Sequence, residues 1–292
     1  KAYTLEMQGL DSGYSFPYPV FFKLGAFLHL FMGAEPAVAF ATMLLNSLAI
    51  VITKLAFNRL ALAKLTAAVQ ERQEERRKAG KSSLLRLWMP GAALSVLSIS
   101  LFFISMLYTP SGIYLPGIRF KYLGVFTANP FHNATYMAAR PFAILALLWF
   151  AKLLPVYEKG IASEDGLWKD YALFSVFLLL ATMTKPSFTI VLVGTAGLLM
   201  LYRLLRSGFR GLLPAVQLGI CFIPTFLDLL YQFRGVFVPD EGAEGGIGFC
   251  FGEVWGYYCG NIPLAMCLAV GFPIVVLVCN YRQLTKNSLY RL

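Results

Sequence analysis

Charge is what this sequence has least of. Only 14% of its 292 residues are charged, 58% are hydrophobic, and the mean hydropathy is +0.65. Soluble domains carry about 25% charged and about 45–50% apolar residues. The deficit excludes an ordinary soluble domain and points to a polytopic membrane protein. Histidine is nearly absent: His29 and His132 are too few for a histidine-rich metal site. There is no GxGxxG, Walker loop, HExxH or nucleophile elbow, so the common nucleotide-binding and hydrolase motifs are excluded. The glycine-rich stretch Gly242–Gly248 is acidic and follows no strand, which reads as a flexible external loop. Internal repeats and low-complexity segments are also missing. The most telling absence is local. No carboxylate occurs between Glu75 and Glu158, although basic residues continue through that gap.

What the chain has instead is long apolar runs. A helix needs about 17 or more such residues to cross about 30 Å of hydrocarbon. The runs near Ala37–Ala56, Trp88–Tyr108, Pro141–Val156, Tyr171–Thr184, Phe188–Tyr202, Leu212–Tyr231 and Ile262–Cys279 predict an all-α transmembrane bundle. An eighth run, Phe16–Met32, is ambiguous because it holds Lys23 and His29, so about seven to eight spans are expected. Its prolines, Pro17 and Pro19, suit the start of a helix. Its aromatics suit the headgroup level, which favours a juxtamembrane helix dipping into the outer leaflet.

The net charge of +10 is spread between the runs rather than gathered in one patch. It therefore reads as membrane topology and not as a nucleic-acid footprint. The segment Lys54–Arg86 holds nine basic residues and three acids and is predicted to be cytoplasmic. Alternation then puts Arg203, Arg206 and Arg210 inside, together with Arg282, Lys286 and Arg291. The loop after Arg234, with Asp240, Glu241, Glu244 and Glu253, falls outside. The expected layout is a single transmembrane domain over 1–292. Residues 1–35 form an external or juxtamembrane segment, 57–87 a cytoplasmic charged loop, and 109–139 and 233–261 external loops. Within the cytoplasmic loop, Ala61–Lys81 reads as a solvated helix with pairs such as Glu74–Lys78. It is either a connector that grips anionic lipid heads or a partner site. The chain starts at Lys1 in a polar stretch and stops just after a span, which reads as a piece of a longer membrane protein.

An external loop has no topological reason to be basic. The loop at 109–139 nevertheless carries Arg119, Lys121 and His132 and runs into Arg140 at the expected membrane edge. An anionic ligand, such as a lipid phosphate, accounts for this. Asn129, His132 and Asn133 add hydrogen-bonding groups, with His132 as an acid or base and Arg140 as a phosphate clamp. The plain alternative is a loop leading to a capped helix, with Asn133 or Thr135 as the cap. Asn133-Ala134-Thr135 is also a glycosylation sequon. Lys185, in the turn Thr184–Ser187, is a functional candidate by its depth, or a snorkelling lysine. The amides after Pro186 can also meet a phosphate. Asp228 is a buried-charge candidate expected to pair with Lys185 or Arg140. Of five cysteines, Cys221, Cys267 and Cys279 fall in apolar runs. Cys250 and Cys259 share the second external loop and can form a disulfide if that side is oxidising.

The segment Ser12–Leu24, with Phe16-Pro17-Tyr18-Pro19 at its centre, resembles the tyrosine- and proline-rich stretch of membrane glycosyltransferases of the GT-C fold. The segments from Asn129 to Thr135 and from Thr184 to Phe188 look like elements of uncharacterised bacterial multi-span proteins of that type. The resemblance touches roughly forty residues. It implies transfer of a sugar from a polyprenyl-phosphate donor at the outer face of a bacterial plasma membrane. It also implies a fragment lacking the first span and most of the first external loop. The family's catalytic carboxylate lies in that loop, and Asp11 is the matching position here, with Glu6 the other carboxylate left. Arg119, Lys121, Asn129, Asn133, Arg140 and Lys185 would hold the phosphate. A divalent metal is possible by resemblance, but no ligand set is visible. The implied partners are the bilayer and the sugar donor. A transporter or flippase of an anionic or lipid-linked substrate would use the same cations, and a membrane scaffold would need none of them.

Overall fold

The computed structural model describes residues 2–12, 16–80, 86–103, 113–115, 118–120, 134–161, 167–237, 252–253, 256, 261–284 and 286. Its architecture is an all-α bundle, as expected. Helix α1 (Ala2–Met7) precedes α2 (Pro19–His29), α3 (Ala34–Phe57), α4 (Ala63–Lys78) and α5 (Met89–Phe103). A hairpin of two short strands follows, β1 (Ile113–Leu115) and β2 (Ile118–Phe120). Then come α6 (Ala134–Leu153), α7 (Leu167–Thr184), α8 (Ser187–Arg206), α9 (Leu212–Ile220) and α10 (Ile223–Phe237). The last apolar run forms a helix with the expected bounds, Ile262–Cys279, part of whose side chains lie outside the described residues.

Four helices described throughout are long and apolar enough to cross a membrane: Ala34–Lys78, Ala134–Leu153, Leu167–Thr184 and Ser187–Arg206. A fifth span results if α9 and α10, bent by 49°, count as one. Among the described residues this is fewer than the expected seven to eight; the runs at 88–108 and 262–279 are described only in part. Helix α2 has 11 residues and reaches about 16 Å, half the hydrocarbon thickness. It does not span. Pro19 opens it, as the tandem prolines predicted. Helix α5 is described over 15 residues, which reach about 22 Å, and the rest of the run at 88–108 lies outside the described residues. The run at 212–231 is interrupted at Cys221 and Phe222, between α9 and α10.

The charged connector is a continuation of a span. Helix α3 passes through one π-helical stretch, Asn58–Leu62, into α4, making 45 unbroken residues. Helix α4 buries no residue, in keeping with its run of charges. At the junction, Lys54 Nζ donates to Asn58 Oδ1 at 2.7 Å and to the Gly91 carbonyl of α5 at 2.7 Å.

Packing follows the sequence periodicity. In α7, Leu167, Tyr171, Phe174, Leu178 and Ala181 are buried, a spacing of three and four that lines one face. They meet Ala146, Phe150 and Leu153 of α6, and the rings of Phe150 and Phe174 lie 5.3 Å apart. Helix α3 buries Ala37, Ala41, Leu45 and Ala49, a mostly small stripe at every fourth residue. Small residues let helices approach closely where lipid provides no hydrophobic drive between them. A second cluster joins Met7, Phe21, Phe22, Ala41, Leu45 and Ala138. Gly25 lets the Met7 side chain lie against the α2 backbone, and a Cβ there would make that flexible side chain move. The outward residues are apolar as well: Leu198 is 72% and Val191 66% exposed on α8, a surface suited to lipid.

Candidate functional site

Helices α6 and α7 form an antiparallel hairpin, because Lys152 near the end of α6 meets Asp170 at the start of α7, while Tyr136 at the other end meets Lys185. The site builds at the Tyr136–Lys185 end. Helix α7 stops at Thr184 and α8 starts at Ser187, so Lys185 occupies the tight turn predicted for it. Its Nζ lies 4.3 Å from the centroid of Tyr136 and 5.3 Å from that of Tyr18. Burial lowers its pKa below the ordinary lysine value. Two rings near an ammonium return part of that desolvation, about 0.5–2 kcal/mol each by general experience. No side chain caps α8, so its first amides keep free hydrogens beside Lys185. Ser187 Oγ donates to the Tyr136 hydroxyl at 3.4 Å.

Arg140 stands elsewhere than expected. Helix α6 begins at Ala134 and runs through Pro141, so Arg140 lies in its second turn and not at the membrane edge. Residues 134–139, expected in the external loop, are helical. Thr135, Met137, Ala138 and Ala139 are buried there, and this packing outweighs the single amide that Pro141 lacks. The Arg140 guanidinium sits 5.2 Å from the Phe102 ring of α5, and Nη1 donates to Asn46 Oδ1 of α3 at 3.4 Å.

Neither cation has a carboxylate partner among the described residues, whose ion pairs include Lys152–Asp170 and Arg203–Glu158. The expected pairing of Asp228 with Lys185 or Arg140 does not form. Asp228 Oδ2 instead accepts from Gln232 Nε2 at 2.7 Å, one turn along α10. The same nitrogen reaches the Thr182 carbonyl at 2.9 Å and ties α10 to α7. Asp11 is exposed, after α1. Arg119 lies in β2, opposite Tyr114 of β1, a hairpin not anticipated inside the basic loop. Helix α10 also continues to Phe237, into the expected loop at 233–261.

Lys121, Asn129, His132, Asn133, Cys250 and Cys259 lie outside the described residues. Cys221, Cys267 and Cys279 are free thiols. Among the described residues no group of three His, Cys, Asp or Glu side chains can hold a metal ion. Sequence reasoning missed Tyr18, Tyr136, Asn46 and Phe102 as partners of the cations. For the three aromatic ones the signal was a general excess of aromatics, and for Asn46 there was none. No known protein family, curated protein or solved structure matches this chain.

Proposed function

We propose that this integral membrane protein holds the phosphate of a polyprenyl-phosphate-linked sugar donor, and acts as a glycosyltransferase of the bacterial plasma membrane. The observation that carries the reading is Lys185. It is half-buried at the uncapped start of α8, covered by Tyr18 and Tyr136, with no carboxylate partner among the described residues. A phosphate placed there meets an ammonium, free helical amides and the Ser187 hydroxyl together. Arg140 supplies a second positive charge from within the hairpin. In the transfer step the bond from the sugar's anomeric carbon to the phosphate oxygen breaks, and these cations stabilise the departing charge. The acceptor oxygen bonds to the anomeric carbon as a carboxylate takes the acceptor hydroxyl's proton, and Asp11 is assigned that role by resemblance.

Binding of polyprenyl phosphate to the purified protein in nanodiscs tests the reading. Lys185→Ala and Arg140→Ala should each weaken it by about tenfold, roughly 1.4 kcal/mol. Unchanged binding in both variants removes the proposal. The 49° break between α9 and α10 favours a second reading, since transporters place substrates at broken helices. Release of lipid phosphate from a sugar donor supports the transferase. Movement of the intact donor across a vesicle supports the transporter.

A further inference from the structure

Beside the Lys185 turn lies a cavity of about 470 Å³ with a different chemistry. Its acidic walls are Glu6 from α1 and Asp228 from α10, and its aromatic walls are Phe16, Phe22 and Tyr231. Among the described residues neither carboxylate forms an ion pair. Glu6 accepts a long hydrogen bond from Ser12, 3.4 Å, and Asp228 accepts from Gln232. Lys23 reaches the same cavity, yet it is exposed and pairs with neither acid.

Gln232, behind the wall, holds Asp228 in place. It is 4% exposed, and its Nε2 faces two acceptors, the Thr182 carbonyl and Asp228 Oδ2. That fixes the amide, because a flip would set oxygen against oxygen. Its Oε1 is then left buried without a hydrogen-bond partner. The cavity wall thus offers two carboxylates and three π faces, with Lys23 as the cation on its rim. An alkylammonium has three donors, a positive charge and affinity for rings, and it complements the carboxylates and the rings.

We infer that this cavity binds an organic ammonium group, held between Glu6 and Asp228 against the rings of Phe16, Phe22 and Tyr231. The cavity adjoins the Lys185 site through two short chain segments. Tyr18, which covers Lys185, stands between Pro17 and Pro19 of the cavity wall, and Met183 of that wall is two residues before Lys185. An aminoalkyl phosphate ester carries the group that each of the two sites would take. Its phosphate half rests on the reading proposed above, and its ammonium half does not.

Calorimetry on the detergent-solubilised protein with three probes separates the halves: ethylammonium, ethyl phosphate and phosphoethanolamine. Phosphoethanolamine should bind about tenfold tighter than ethyl phosphate, the size of one charge-assisted contact. Asp228→Asn and Glu6→Gln should each remove that margin and leave ethyl phosphate unaltered. Because they come from different helices, α1 and α10, either variant reads the site if the other misfolds. Lys185→Ala should weaken both phosphates equally and spare ethylammonium. Ethylammonium binding that depends on Asp228, without ethyl phosphate binding, upholds the cavity and sinks the phosphate reading. Equal affinity for phosphoethanolamine and ethyl phosphate, or amine binding untouched by both acid substitutions, overturns the inference. Preferential retention of an aminophospholipid from mixed nanodiscs, read by native mass spectrometry, assigns a lipid headgroup. Binding of the soluble probe without lipid preference assigns a free solute.

Discussion

The two ends of the α6–α7 hairpin neutralise positive charge in different ways. At one end Lys152 meets Asp170 at 2.7 Å, and Trp149 Nε1 donates to the same carboxylate at 3.2 Å. Nearby, Arg203 lies 3.6 Å from Glu158 and donates to the Leu154 carbonyl at 3.0 Å. At the other end Lys185 has two tyrosine rings, and Arg140 has one phenylalanine ring and a long bond to Asn46. The rings shield these cations without cancelling their charge. A carboxylate pair leaves little for a ligand anion to gain, whereas a cation held only by π faces keeps its demand for one. The difference marks the Lys185 end as the place where binding has most to contribute.

The strongest way to break this contrast is to supply the missing acid. Ser187→Asp puts a carboxylate on the uncapped start of α8 beside Lys185. Phosphate affinity should fall by about a hundredfold, near the roughly 3 kcal/mol of a strong charge-assisted bond. Thermal stability should rise, since an acid suits a helix N-terminus. Ligand titration and a melting curve on one sample read both effects, and a variant that binds phosphate normally contradicts the contrast. A smaller effect comes from deleting one cation at each end. Lys185→Ala should cost about tenfold in phosphate affinity, and Lys152→Ala nothing measurable; equal losses would place the anion demand at neither end.

Removing the acid of the satisfied end tests the other half. Asp170→Ala should lower stability by about 1 kcal/mol, because Lys152 is exposed and its pair is screened. Phosphate binding should stay the same, as equilibrium unfolding and titration together would record. The smallest effect is with pH. Lys185 has a folded pKa below its unfolded value of about 10.4. In the window between them the unfolded chain binds more protons, so stability should rise with pH. Phosphate binding needs the charged ammonium and should weaken over that same window. Opposite slopes are expected in the wild type, and both should flatten in Lys185→Ala.

Much of the bundle could be read from the chain alone. The spans at α3, α7 and α8 and the turn holding Lys185 followed from apolar run length and from Pro186. The number of spans did not, because apolar length alone hides the break at Cys221 and Phe222, which Gly219 and Pro224 flank. The start of α6 was misplaced by seven residues because Pro141 looked like a boundary. Burial of Thr135 and Ala138 against neighbouring helices outweighs one missing amide. Lys185 could be singled out by its depth, but Tyr18 could not be assigned to it. That ring arrives from the residue before α2 through a packing of distant elements that no local pattern encodes.

Composition and spacing by themselves determined that this chain forms membrane helices and that it carries cations without nearby acids in sequence. Lipid leaves the backbone no partner but itself, so apolar length alone dictates helix. Only the tertiary structure decided which charges are paired in space. That depends on which helices lie side by side: α10 delivers Asp228 to Gln232 rather than to Lys185, and α2 brings a tyrosine where an acid would otherwise be needed.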